Sequence, residues 1–146
     1  MIGVDTNILV YAHRRESIWH EPARRVIQHL AEGRSPWAIA WPSIYEFLSK
    51  VTHPRIFDPP SSSDEALRQV GSWMESPSLV LLAEPVGFYT VLNDILRATA
   101  VIGPVIHDAR IAALCHYHGV DRLYTADRDF SRFANYLRVE NPLLAQ

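Results

Sequence analysis

The chain has 146 residues and a net charge of −2, with a pI near 6.4. This length suits one domain with a real core and is too short for two, and the charge argues against indiscriminate binding to nucleic acid. The 48% hydrophobic and 21% charged content is ordinary for a soluble globule. The single cysteine, Cys115, excludes a disulfide framework and a multi-cysteine zinc site, and its apolar helical surroundings predict a core residue.

The first half of the chain alternates apolar strand patterns with helical ones. Asp5, Thr6 and Asn7 follow the first strand directly, which predicts a strand end that leads into a helix cap. The predicted elements are, in order, a strand at residues 2–4, helices at 8–13 and 20–32, a strand at 37–40, and a helix from Pro42 to about residue 52.

The second half continues this alternation after a loop at residues 53–62. The predicted elements are a helix at 63–74, a buried strand at 79–83, a helix at 88–100, a turn at Gly103-Pro104, an Ala-rich helix at 108–117, and strands at 122–125 and 138–140. Strands that alternate with helices predict an α/β fold, in which a mostly parallel central sheet is covered on both faces.

Acidic residues stand at strand ends and on the first turns of helices. In an open parallel sheet the ligand site lies beyond the carboxyl ends of the strands, so Asp5 and Asp127 are expected to meet there. Glu46 and Asp108 lie near the starts of two apolar helices. Carboxylates brought together repel one another, and a divalent cation is the usual remedy; oxygen ligands suit Mg²⁺ or Mn²⁺ rather than zinc. The pattern points to metal-dependent phosphodiester chemistry.

Each acid also has a simpler interpretation when it is taken alone. Asp5 could be only the N-cap of the first helix, and Glu46 could lie on a solvated helix face. Asp108 could be an acid favoured by the helix dipole, while Asp127 and Asp129 could be turn formers. The combination of all of them favours a site.

Histidine and tryptophan residues give weaker indications. His116 and His118 are two positions apart and do not share a helix face, which argues against a metal role. His13 and the two arginines after it could reach a phosphate at the cleft edge or be solvated, and we favour solvation. Tryptophans could stack on bases, but Trp37 and Trp41 flank a strand and are predicted to be core residues.

Several short stretches share a pattern with a known family. They are Val4-Asp5-Thr6-Asn7-Ile8-Leu9-Val10-Tyr11, Ser43-Ile44-Tyr45-Glu46-Phe47, His107-Asp108-Ala109-Arg110-Ile111-Ala112-Ala113-Leu114, His118-Gly119-Val120, and Leu123-Tyr124-Thr125-Ala126-Asp127-Arg128-Asp129-Phe130. In these residues the chain resembles PIN-domain ribonucleases, and within them the VapC-type toxins of bacterial toxin–antitoxin pairs. The resemblance spans the whole chain. It implies one PIN domain over residues 1–146, folded as a three-layer α/β/α sandwich.

The resemblance implies roles for the acids. Asp5, Glu46, Asp108 and Asp127 match the metal-holding catalytic acids, and Asp5 and Asp108 match the ligands of a single bound ion most clearly. The implied cofactor is Mg²⁺, which Mn²⁺ is expected to replace.

The resemblance also implies supporting roles beside these acids. Thr6 and Thr125 match hydroxyl positions next to the site. Asn7 matches the polar residue that braces the first acid, and Asp129 is a second acid in the last motif with a supporting role.

The implied activity is an endoribonuclease toxin with an RNA substrate, such as tRNA or rRNA, and a cognate antitoxin. An antitoxin segment is expected to offer an Arg to the acids and to pack on Ile8, Tyr11 and the helix that bears Val26 and Leu30. A homodimer is expected through helices between residues 64 and 103, with the first two helices as further candidates.

Other functions compatible with the sequence are a housekeeping PIN nuclease in RNA maturation and a non-catalytic PIN binding module. A small adjacent open reading frame would separate a toxin from a housekeeping nuclease, and the presence of all the acids argues against the binding module. A haloacid-dehalogenase-type phosphatase needs a second Asp where the chain has Asn7. The sequence shows neither a leader pattern nor a membrane-length apolar run, so we expect a cytoplasmic protein.

Overall fold

A computed structural model of the chain describes residues 1–144. Its central feature is a parallel sheet of five strands in the order β3-β2-β1-β4-β5. The strands are β1 (Ile2–Val4), β2 (Trp37–Ala40), β3 (Leu79–Leu82), β4 (Arg122–Tyr124) and β5 (Arg138–Glu140). Because β1 and β4 are neighbours, the residues that follow them meet at one edge of the sheet.

Helices connect the strands. They are α1 (Thr6–His13), α2 (His20–Glu32), α3 (Trp41–Val51), α4 (Ser63–Met74), α5 (Phe88–Thr99), α6 (Val105–Tyr117) and a 3-10 helix (Arg128–Phe133). The predicted bounds of α2 and α4 are confirmed. The prediction that α6 begins at Asp108 was wrong by one turn, because Gly103 adopts a φ of 65° and Pro104 follows it, so the helix starts at Val105. No helix among residues 1–144 is long and apolar enough to cross a membrane.

Alternation along β2 shows how the sheet separates two helical layers. Trp37 and Ile39 pack in one core cluster with α1 to α4, whereas Ala38 and Ala40 pack in another with α5, α6 and the 3-10 helix. The three-layer α/β/α arrangement is therefore confirmed.

Strand β3 differs from its prediction. It was expected to be a buried strand at residues 79–83, but it ends at Leu82 and forms one edge of the sheet. Val80 is 39% exposed because β3 has a strand partner on one side only and the helical layers leave its outer face partly uncovered.

The predicted core residues show one difference. Trp37 and Cys115 are fully buried, as predicted, and burial raises the pKa of the Cys115 thiol to about 12. Trp41 is only partly buried, since it begins α3 where the chain leaves the sheet.

The expected solvation of His13 and the arginine after it was wrong. The Arg14 side chain is only 12% exposed, its guanidinium lies 4.4 Å from the centroid of the Phe57 ring, and it donates to the carbonyl of Pro59 at 2.8 Å. His13 Nε2 lies 2.8 Å from Ser61 Oγ. The loop between α3 and α4 folds back on the end of α1, a long-range contact that the local sequence does not reveal.

Candidate active site

Asp5 lies at the junction of β1 and α1 and is 6% exposed. It occupies the N-cap position but makes no side-chain capping bond, so the simple cap interpretation was wrong. Its Oδ2 instead accepts hydrogen bonds from Thr125 Oγ1 at 2.8 Å and from Asn7 Nδ2 at 3.2 Å. The carboxylate is therefore held toward the loop that follows β4.

Asn7 and Thr125 link the ends of β1 and β4. Asn7 Nδ2 also donates to Thr125 Oγ1 at 3.0 Å, while Asn7 Oδ1 accepts from the Ala126 amide at 3.0 Å. Thr125 Oγ1 accepts from the Asp127 amide at 3.0 Å. These bonds fix the orientation of Asp5 from the ends of two strands. Asn7 was expected to brace the first acid and Thr125 to place a hydroxyl beside the site, and both side chains contact Asp5.

Glu46 faces the start of α1 from α3. Its Oε2 accepts a hydrogen bond from Thr6 Oγ1 at 3.1 Å, and its Oε1 lies 2.8 Å from Lys50 Nζ. The carboxylate is half-exposed, but these two contacts anchor it beside α1 rather than leaving it simply solvated. Because Thr6 directly follows Asp5 in the chain, this hydrogen bond holds the Glu46 carboxylate near Asp5.

Asp108 lies in the first turn of α6, across a cleft from Glu46. The cleft has a volume of about 490 Å³ and runs between α3 and α6. Burial raises the pKa of Asp108, and the charges of Asp127 and Glu46 raise it further, whereas the Arg132 guanidinium opposes them.

Asp127 and Asp129 begin the 3-10 helix. Asp127 Oδ1 accepts from the Asp129 amide at 2.9 Å, so the turn-forming interpretation holds for Asp127. The charge of Asp127 also helps to raise the pKa of Asp108. The Asp129 side chain is 72% exposed and contacts Arg132 at 4.0 Å.

The electrostatic state of Asp5 reflects its surroundings. Burial raises its pKa from 3.8 to about 6; the hydrogen bond from Thr125 opposes this shift, and the charges of Glu46 and Asp108 add to it. There is thus electrostatic repulsion among three carboxylates, those of Asp5, Glu46 and Asp108. A cation among these carboxylates would relieve the repulsion.

The donor chemistry fits a hard divalent cation. All the candidate donors are carboxylate oxygens, which suit Mg²⁺ or Mn²⁺. Within residues 1–144 there is no group of three His, Cys, Asp or Glu side chains close enough to hold an ion together. Mg²⁺ usually takes one or two carboxylates and keeps several waters, so the fit is to a hydrated ion rather than to a closed cage.

Comparison with known proteins places this arrangement in a family. The PIN domain model matches residues 2–136. The chain belongs to the PIN-domain family. This PIN domain is 30% identical to ribonuclease VapC43 of Mycobacterium tuberculosis over 146 residues, which cover 100% of the chain and 98% of the relative. It is 27% identical to ribonuclease VapC48 of the same species over 138 residues, or 94% of each chain.

Two solved structures share the fold of this PIN domain. One is the structure of VapBC2 from Rickettsia felis bound to a DNA fragment from its promoter, with a TM-score of 0.68 and 19% sequence identity. The match covers 96% of this chain and 98% of the matched chain. The sarcin–ricin-loop-cleaving toxin VapC20 of Mycobacterium tuberculosis has a TM-score of 0.67 and 16% identity, and covers 95% and 98% respectively.

Sequence reasoning missed two residues of the site. Lys50 pairs with Glu46, and Tyr45 lines the cleft beside it. Helical spacing could have found the first, because residues four positions apart lie on one helix face.

Replacing Thr125 by Val is expected to lower the free energy of unfolding by about 1–3 kcal/mol, because Asp5, Asn7 and the Asp127 amide all lose a partner at a buried hydroxyl. Thr125→Ser keeps the hydroxyl and is the matched control. Urea unfolding at neutral pH measures both. Equal stability of the Val and Ser variants would show that the hydroxyl network does not stabilise the site.

Proposed function

We propose that this PIN-domain protein is a metal-dependent endoribonuclease that acts as a growth-inhibiting toxin and is neutralised by a cognate antitoxin. The observation that carries the proposal is the buried Asp5 carboxylate, which accepts hydrogen bonds from Thr125 and Asn7. The nearby charges of Glu46 and Asp108 help to raise its pKa. The relatives named ribonucleases match nearly the whole chain, which supports the same activity here.

Asp5 and Asp108 would hold one hydrated ion, and Glu46 and Asp127 would serve a second, weaker one. Bound Mg²⁺, or Mn²⁺ in its place, would supply a nucleophilic water and stabilise charge on the phosphate.

The chain's other residues keep the acids in position. Thr125 and Asn7 orient the Asp5 carboxylate, and Thr6 holds one oxygen of Glu46. Lys50 neutralises the other Glu46 oxygen, so its release would free that oxygen for a ligand. Asp129 supports Asp127 through its amide.

Incubation of the purified protein with cellular RNA tests this activity. We expect cleavage at internal sites with Mg²⁺, none with EDTA, and recovery when Mn²⁺ is added. Asp64→Asn, which removes an exposed acid on α4, is a matched control and should cleave as the wild type does. Equal cleavage in EDTA would contradict metal dependence, and the absence of cleavage under all conditions would contradict the ribonuclease proposal.

An antitoxin is the proposed regulatory partner. We also propose that the protein acts in the cytoplasm, where it would meet its RNA substrate. The similarity to VapBC2 supports such a partner. A groove of about 310 Å³ lies between α2 and the β4–β5 side of the sheet and includes Val26 and Leu30, which could receive apolar residues of an antitoxin segment. The expected packing on Ile8 was wrong, because Ile8 is fully buried. An antitoxin Arg paired with the acids would replace the metal charge.

We also propose a homodimer. Exposed apolar side chains on and around α4 and α5 support it, since burying them would remove apolar surface from water. These residues are Leu67, Met74, Val86, Tyr89 and Ile102.

A further inference from the structure

An exposed aromatic ring stands directly beside the acids. Tyr45 is 61% exposed and precedes Glu46 in α3. It lines the same cleft as Glu46 and Asp108. A single exposed aromatic side chain on a protein surface needs no explanation. Its position next to two candidate metal ligands makes this one informative.

Trp41 supports the Tyr45 ring from within α3. The two ring centroids are 6.0 Å apart and the ring planes are inclined at 33°. The residues are four positions apart, so they share one helix face. Trp41 in turn packs against the core cluster formed with α1 to α4. Contact with Trp41 therefore restricts the Tyr45 ring, so less side-chain entropy is lost when a planar group stacks on it.

Much of the remaining cleft wall is apolar. Pro42, Pro104, Val105 and Ile111 line it together with the acids. His107 and Arg110 also line it, and Arg110 is paired with Glu84. The apolar part of this wall offers little to a free phosphate, which the nearby carboxylates also repel. It suits a flat, uncharged group, and a nucleobase meets that description because stacking on an aromatic ring needs no charge.

We propose that Tyr45 is a base-stacking platform, on which an unpaired base next to the cleaved phosphodiester rests within the α3–α6 cleft. This inference rests on the proposed ribonuclease function and adds the side chain that receives a base of the substrate. Bases inside an RNA duplex are stacked on their neighbours and are not available to the ring, whereas bases in single-stranded loops can be splayed out. An unpaired base is therefore the group that the Tyr45 ring would receive.

Binding of RNA to cleavage-deficient protein tests the platform. In an Asp5→Asn background, fluorescence anisotropy measures the Kd of a short, mixed-sequence single-stranded RNA and of the same RNA annealed to its complement. We expect Tyr45→Phe to bind the single strand as Tyr45 does, because the ring is kept. Tyr45→Ala and Tyr45→Leu should weaken binding by about tenfold or more, and the duplex should bind poorly to all of them.

Cleavage assays separate the failure of this inference from failure of the proposed function. With Asp5 present, Tyr45→Ala should raise KM with little change in kcat, and should raise it about tenfold more than Tyr45→Phe, which keeps the ring. Wild-type protein that cleaves RNA while all Tyr45 variants bind and cleave alike would overturn the platform but not the ribonuclease. The absence of wild-type cleavage would overturn the ribonuclease itself.

Light scattering on the same variants tests the competing role for Tyr45. We expect all of them to have the wild-type mass, because an RNA-binding ring need not take part in assembly. If Tyr45→Ala and Tyr45→Leu change the mass whereas Tyr45→Phe does not, the ring lies in an interface between protein chains, and the platform is wrong.

Discussion

Replacing Asp5 or Asp108 by Asn is expected to reduce RNA cleavage by more than about a hundredfold and to abolish growth inhibition. The amide preserves the shape of the side chain but removes the charge that a metal ion requires, and loss of a direct ligand exceeds the 10–100-fold effect of losing an outer contact. Time courses of RNA cleavage and growth curves after induction measure the two effects.

The Asp64→Asn variant controls for loss of an acid on the surface, and thermal unfolding confirms that each variant is folded. Glu46→Gln and Asp127→Asn should also be severe, with partial rescue of one of them by high Mn²⁺. A folded Asp5→Asn or Asp108→Asn protein that cleaves at nearly the wild-type rate would show that the acids do not form the active site.

Asp5 is also expected to make the metal-free protein less stable as the pH rises. Its pKa is about 6 in the folded protein, against an ordinary value of 3.8. Well below pH 3.8 the group is protonated in both the folded and unfolded states and has no effect. Between these values the unfolded state loses its proton first, so stability falls, and above pH 6 the cost is complete at about 3 kcal/mol.

Asp5→Asn removes this cost while its amide oxygen can still accept the Thr125 hydrogen bond. We therefore expect the variant's stability relative to the wild type to increase by about 2–3 kcal/mol between pH 4 and pH 7. Urea unfolding in EDTA across this range measures the difference. Parallel curves for the two proteins would show that burial of the Asp5 charge carries no such cost. At pH 7, Mg²⁺ should stabilise the wild type more than the variant, since only the wild type keeps this proposed ligand.

Local patterns were sufficient to predict much of the fold. The start of α4 follows from a capping box in which Ser62 Oγ accepts from the Glu65 amide and the Glu65 carboxylate accepts from the Ser62 amide. The exposure of β3 could not be predicted, because it depends on which strand lies at the sheet edge. Neighbours of this kind are set by the whole topology.

In the candidate site, too, some features follow from local sequence patterns and others depend on contacts between distant residues. The placement of Asp5 and Asp127 beyond adjacent strands followed from a general rule for parallel sheets. The network of Thr125 and Asn7 around Asp5, by contrast, joins residues that are about 120 positions apart. The burial of Arg14 depends likewise on a distant loop. Such contacts are tertiary and leave no periodic signal in the sequence.

Sequencing of RNA ends from cells that express the protein, beside cells that express Asp5→Asn, tests the central claim most directly. If Asp5 belongs to a ribonuclease site, new ends should appear at discrete internal positions with the wild type and be absent with the variant, although both proteins accumulate to the same level. The same new ends in both cultures, or none in either while growth is still inhibited, would contradict the assignment of RNA cleavage to this cluster of acids.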